Sequence, residues 1–195
     1  MDSLPMELPD IVRRTIRRHD LAAPSTRVVI ALSGGGDSVA LAHVLHDLHR
    51  ASQLTIAGIA HFNHQLRDDA DNDEQFCRAV ADALGHPFLS DRENVAARAN
   101  RERRSIEVAG RNARHEFFAR ACTHFSADVV ALGHTRDDQA ETFLLRLMRG
   151  AGARGLSGMH PRSGRVIRPL LDCGREELRA FLVERDVTFM DDATN

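Results

Sequence analysis

The feature that most constrains this chain is a junction close to its N-terminus. Residues 27–32 (RVVIAL) form a β-branched apolar run that passes through SGGGDS, Ser33 to Ser38, into a helical pattern of Leu41, Val44, Leu45 and Leu48. Apolar at every position from Val28 to Leu32, the run predicts a strand buried on both faces, as in a parallel sheet covered by helices. Gly34, Gly35 and Gly36 let the backbone approach an anion without Cβ obstruction, and the following helix turns free amides and its dipole toward that anion. The junction therefore predicts a phosphate site. The simpler reading is a tight strand-to-helix turn with Asp37 capping the helix.

Composition narrows how such a site can work. All 26 Lys+Arg residues are arginine, so a Walker A lysine, a pyridoxal lysine and a Schiff-base lysine are excluded within this chain. An anion in the loop must be held by backbone amides, by the hydroxyls of Ser33 and Ser38, and by a magnesium ion near Asp37. A carboxylate beside a phosphate makes sense when a divalent cation stands between them. Tyr and Trp are absent, which argues against an aromatic platform for single-stranded nucleic acid. Nothing in the chain reads as a signal peptide or membrane span, so a cytoplasmic protein is expected. Cys77, Cys122 and Cys173 are widely separated and read as packing residues rather than a disulfide or metal framework.

Beyond the junction, strand-like and helical segments alternate. Leu8, Ile11, Val12 and Ile16 predict an amphipathic N-terminal helix within residues 1–24. Residues 54–61 (LTIAGIAH) predict a second strand. An acidic loop (RDDADNDE) follows, then a helix with Phe76, Ala79, Val80, Ala83 and Leu84 inward. A further helix carries Ile106, Ala109, Ala113 and Phe117, and residues 128–133 (DVVALG) predict another strand. From Asp138 a helix carries Ala140, Leu144, Leu147 and Met148 to Gly150, and a short helix lies near residues 176–185. The fold class expected is α/β, a Rossmann-like doubly wound parallel sheet with helices on both faces.

Several residues suit phosphate or amine chemistry. Arg111 and Arg114, three apart on a helix, project from one side and can grip a phosphate; Glu107 and Arg111 could equally form a surface ion pair. His134 follows the C-terminal end of a buried strand, where ligands of open sheets collect. Asp137, Asp138 and Glu141 cluster at a helix start, suiting magnesium or an ammonium, or simply a capping box. His61 and His64 form an HxxH that lacks the further ligands of a zinc site. Residues 149–168 are rich in Gly and Arg, and no acid occurs from 142 to 171 while Arg146, Arg149, Arg154, Arg162, Arg165 and Arg168 do. This basic stretch could meet a polyanion.

SGGGDS after a buried strand resembles the signature of the PP-loop, or N-type, ATP pyrophosphatases, an adenine nucleotide alpha-hydrolase-like fold. HFNHQLR (61–67), EVAGRNARHEFF (107–118), GHTRDDQAETFLLRLMRGAGARGL (133–156), RPLL (168–171) and the terminal DDATN are similar, in order and spacing, to the tRNA(Ile)-lysidine synthetase family. The resemblance implies a ligase that adenylates the wobble cytidine of tRNA(Ile) with a CAU anticodon, releases pyrophosphate, and lets free L-lysine displace AMP. It implies ATP and Mg2+, with Ser33, Gly34, Gly35, Gly36, Asp37, Ser38, Ala60, His61 and Phe62 at the nucleotide. Asp37, Arg111, Arg114 and His134 become catalytic candidates, Asp138 and Glu141 lysine-binding candidates, and Asp37 and Asp137 metal candidates. Residues 25–195 would be the catalytic domain, without the C-terminal tRNA-binding domains of the family. A homodimer is compatible with this reading. His115 departs from the family, which usually has Tyr there. A tRNA-thiolating PP-loop enzyme and an ATP-binding regulatory module remain open as alternatives.

Overall fold

A computed structural model of the chain describes residues 7–65, 70–150 and 158–190. Arg67, Arg154 and the DDATN segment lie outside the described residues. Helix α1 (Leu8–Arg18) is followed by β1 (Arg27–Ala31), α2 (Gly36–Arg50), β2 (Thr55–Asn63), α3 (Ala70–Leu84) and β3 (Phe88–Arg92). Then come α4 (Val95–Glu102), α5 (Ile106–His124), β4 (Val129–Ala131), α6 (Arg136–Met148), β5 (Arg162–Ser163), β6 (Val166–Ile167) and α7 (Arg175–Val183). The six strands order as β3-β2-β1-β4-β6-β5. Every pairing is parallel except that of β5 with β6 at one edge.

Because side chains alternate across a strand, each apolar strand feeds two cores. Val28 and Ile30 of β1 join Val129 and Ala131 of β4 in a core under α1, α2, α3 and α7. Val29 and Ala31 join Val130 and Leu132 in a second core under α4 and α5. In β2 the register slips between Val28 and Val29 of its partner, a bulge that puts Ile56 and Ile59 on one face and Ala57, Ala60 and Phe62 on the other. The doubly wound expectation holds, with an antiparallel edge hairpin added from the Gly/Arg-rich tail.

Four local expectations are corrected. The acidic residues from 70 onward begin α3 rather than a loop; Phe76, Val80 and Leu84 pack against the core as expected, joined by buried Cys77 and Ala81, while Ala79 and Ala83 are exposed. Strand β3 and helix α4 were not legible, since β3 is a half-exposed edge with Ser, Asp and Arg, and α4 is rich in arginine. Ile106 is 51% exposed. Helix α6 starts at Arg136 and buries none of its residues, so Leu144, Leu147 and Met148 face outward. The three cysteines are free and buried, as expected of packing residues.

Candidate active site

Strand order reverses direction between β1 and β4, because the chain runs from β1 outward to β3 and then returns to the other side of β1. Crevices beyond the carboxyl ends of strands at such a switch point collect ligands. Here a cleft of about 450 Å³ opens at that place. It is lined by Ala31 to Ser33 after β1, Ala60 to Gln65 at the end of β2, Leu132 to His134 after β4, and the start of α2.

The loop after β1 is shaped for an anion. Gly34 has φ +98°, the left-handed region that glycine enters without strain, and its carbonyl accepts the Met190 amide at 3.0 Å. The Ser38 hydroxyl donates to the Gly35 carbonyl at 2.9 Å and accepts from the Ser33 amide at 3.1 Å. No side chain caps the N-terminus of α2, so its first-turn amides face the cleft without a side-chain acceptor. Gly133 makes this approach feasible: a Cβ there would stand 3.1 Å from the Asp37 carbonyl oxygen. Asp37 lies in that first turn, and burial, aided by the nearby Asp138, raises its carboxyl pKa above the ordinary value.

A second wall is ionic. Arg175, the first residue of α7, donates to Asp138 Oδ1 and to Glu141 Oε1 (2.7 Å), and its Nε lies 3.5 Å from Asp37 Oδ2. That Nε is buried without a hydrogen-bond partner. Asp138 Oδ2 meanwhile accepts the Thr135 amide at 2.7 Å, closing a capping box between Thr135 and Asp138. The box is thus one turn earlier than the Asp138–Glu141 spacing implied. Asp137 faces away from the cleft lining and caps α7 by accepting the Arg175 amide at 2.9 Å.

The third wall is cationic. Arg114 lines the cleft, and burial together with the neighbouring Arg111 lowers its pKa. The alternative ion pair of Arg111 with Glu107 is not made among the described residues. Burial, and then Arg168, push His134 down to about 4, so its imidazole is neutral near neutrality; its Nδ1 is buried without a partner. His64 is likewise pushed to about 4 by burial and Arg114. His61 is held through Nδ1 and the Leu32 carbonyl, 2.9 Å apart, leaving Nε2 buried and unpartnered.

The cleft therefore brings together Ser33, Gly35, Gly36, Asp37, Ser38, Ala60, His61, Phe62, Arg114 and His134. Gly34, Arg111, Asp138 and Glu141 stand behind or beside it; Asp138 and Glu141 reach it through Arg175. Sequence reasoning missed Arg175, Arg179, Asp73 and Phe189. One signal pointed to Arg175: a cation at the first position of a helix opposes the dipole and needs local acids to hold it. In the basic segment, Arg162, Arg165 and Arg168 donate to the carbonyls of Asp20, Asp128 and His160.

Among the described residues no group of three or more His, Cys, Asp or Glu is disposed to hold a metal ion. Two carboxylates, Asp37 and Asp73, line the cleft, and Asp37 lies in the first turn of α2 at the phosphate loop. That fits magnesium, which commonly takes one or two protein carboxylates and completes its shell with phosphate oxygens and water.

A switch-point cleft with an uncapped glycine loop defines a nucleotide-type site on an α/β sheet. The PP-loop domain family matches residues 9–195, and the chain belongs to that family. It is 46% identical over 187 residues to a tRNA(Ile)-lysidine synthase of Geobacter sulfurreducens, covering 94% of this chain and 39% of the relative. It is 37% identical to the synthase of Clostridium tetani, covering 95% and 40%. The chain thus spans about two fifths of the length of these curated relatives. Among solved structures, the U34-tRNA thiolase NcsA from Methanococcus maripaludis superposes with a TM-score of 0.76 at 18% identity, covering 94% of this chain and 64% of that one. The NH3-dependent NAD synthetase from Campylobacter jejuni gives 0.56 at 15% identity, covering 94% and 75%. At those identities the likeness is one of fold.

Proposed function

We propose that this chain is the catalytic domain of a tRNA(Ile)-lysidine synthetase, with residues 25–195 as the domain and 1–24 as a helix packed on it. ATP adenylates the carbonyl oxygen at position two of the wobble cytidine in tRNA(Ile) with a CAU anticodon. Pyrophosphate leaves, and the amine of free lysine displaces AMP to give lysidine. The observation that carries the reading is an uncapped phosphate loop in the cleft, facing Arg175, whose guanidinium links the cleft to the carboxylate pair Asp138 and Glu141 beside it. Adenylation needs the loop, and capture of an amine needs the carboxylates.

In this reading the α2 amides, Ser33 and Ser38 hold phosphate, and the residues at 31–33 and 60–62 flank adenine. Arg114, with Arg111 beside it, stabilises charge developing on the α-phosphate. Neutral His134 hydrogen-bonds the reacting groups without adding a cation. Asp37 would hold a magnesium ion, which would supply positive charge against the phosphates. Asp138 and Glu141 orient the ammonium of lysine. Homodimer formation also belongs to this reading, supported by the exposed Phe143, Leu144, Leu145, Leu147 and Met148 of α6. A cytoplasmic location is in keeping with it: among the described residues no helix is long and apolar enough to cross a membrane.

The test is incubation with ATP, magnesium, lysine and tRNA bearing a CAU anticodon, scored for AMP, pyrophosphate and modified base. Lysidine is expected. Pyrophosphate release with no lysine incorporated sinks the lysidine assignment while leaving an adenylating enzyme.

A further inference from the structure

We propose that Arg175 is a resident cation that fills the amine-receiving carboxylates until nucleotide phosphate draws it away, so that lysine binds after ATP. The proposal rests on the function proposed above and adds an order of binding and the residue that enforces it.

The guanidinium occupies the position an incoming ammonium would need. Asp138 is fixed by its Oδ2, which accepts from both the amide and the hydroxyl of Thr135, so only Oδ1 is turned outward; that oxygen is taken by Arg175. Glu141 Oε1 is taken at 2.7 Å. Two cations cannot share these oxygens without repulsion, so lysine and Arg175 compete for them.

Three features make Arg175 ready to leave. Its buried Nε makes no well-formed hydrogen bond, only a long ionic contact with Asp37, so a closer acceptor would relieve it. It sits at the first position of α7, where the helix dipole disfavours a positive charge. Its Nε already lies 3.5 Å from Asp37 Oδ2, in the first turn of α2 where phosphate is expected. Phosphate oxygens in that loop would present a charge-assisted, bidentate acceptor matched to a guanidinium. Turning Arg175 toward them satisfies Nε and opens Asp138 and Glu141. Binding of nucleotide and of amine then support each other, since linkage is reciprocal.

Calorimetric titration of lysine into the full chain, with and without α,β-methylene-ATP, tests this. In the wild type the nucleotide should tighten lysine binding by about tenfold, within the usual range of coupling between sites. In Arg175→Gln lysine should bind without nucleotide and show no such coupling. Equal affinity with and without nucleotide in the wild type overturns the proposal, as does full coupling in Arg175→Gln or its failure to bind lysine at all. A second measurement needs no variant: the Arg175 Nε–Hε resonance should shift as inorganic pyrophosphate is added, and an unmoved resonance overturns the proposal. Lysidine made without coupling refutes the ordering alone, whereas no pyrophosphate release from ATP with tRNA refutes the function it rests on.

Discussion

Helices α2 and α6 both begin at the cleft, one after β1 and the other after β4, yet they are built in opposite ways. Helix α2 buries Ser38, Val39, Ala40, Leu41, Ala42, Val44, Leu45 and Leu48, and its N-terminus has no side-chain cap. Helix α6 buries no residue, and its N-terminus is closed by the Thr135–Asp138 box. The buried helix can leave its amides unsatisfied by side chains because packing, not capping, holds it in place. The exposed helix lacks that support and depends on its cap, so it contributes carboxylates rather than amides. One wall of the cleft is thus shaped for anions and the other for cations.

This contrast can be broken at several points. If Asp37 holds magnesium as proposed, replacing it by Asn should reduce turnover by on the order of a thousandfold, read as pyrophosphate release, because the cation that offsets phosphate charge is lost. The same variant should melt at a higher temperature at neutral pH. Burial raises the Asp37 pKa, so the folded chain holds that proton more tightly than the unfolded chain, and stability falls as pH rises past 3.8. A lower melting temperature in Asp37→Asn would contradict this, and the gain should vanish below pH 3.8.

Leu45 is fully buried in α2, and Leu45→Ala should cost about 2–5 kcal/mol in denaturant unfolding. Acid should act through His64, His86 and His134, each pushed down to about 4 by burial. The unfolded chain takes up these protons first, so stability is full above 6.5 and is lost as pH falls from there toward 4. Urea midpoints measured across that window should decline, and His134→Gln should flatten the slope. Thr135→Ala, which removes the α6 cap, should cost about 1 kcal/mol by the same assay. Least affected in the monomer, at concentrations too low for the proposed homodimer, should be Leu145→Ala on α6, 51% exposed and within about 0.5 kcal/mol of wild type. A loss at Leu145 equal to that at Leu45 would show that α6 is covered in solution.

The same contrast explains what could be read in advance. Strands β1 and β4 were legible because residues buried on both faces are apolar at every position. Helix α6 was legible as a helix, but Leu144 and Leu147 have helical spacing whether a core or solvent lies opposite, so their exposure was not. Helix α4 was not legible because it is short and its buried face, Val95, Arg98 and Ala99, includes a charge: Arg98, 8% exposed, is held by Glu93, Glu102 and Glu116. Asp37 and His134 were legible because each adjoins a recognisable strand or loop, and Arg114 because it lies three residues from Arg111 on one helix. Arg175 was not, for its partners Asp138 and Glu141 stand 37 and 34 residues away.

The sequence by itself determined the parallel core, the glycine loop between strand and helix and an arginine-only cation set, since each follows from residue type and local spacing. Only the tertiary structure decided that Asp137 caps α7, that Asp138 and Glu141 grip Arg175, and that α6 stands exposed. Those outcomes depend on which distant elements arrive at the switch point between β1 and β4. Local periodicity carries no record of a partner that the chain meets only after folding.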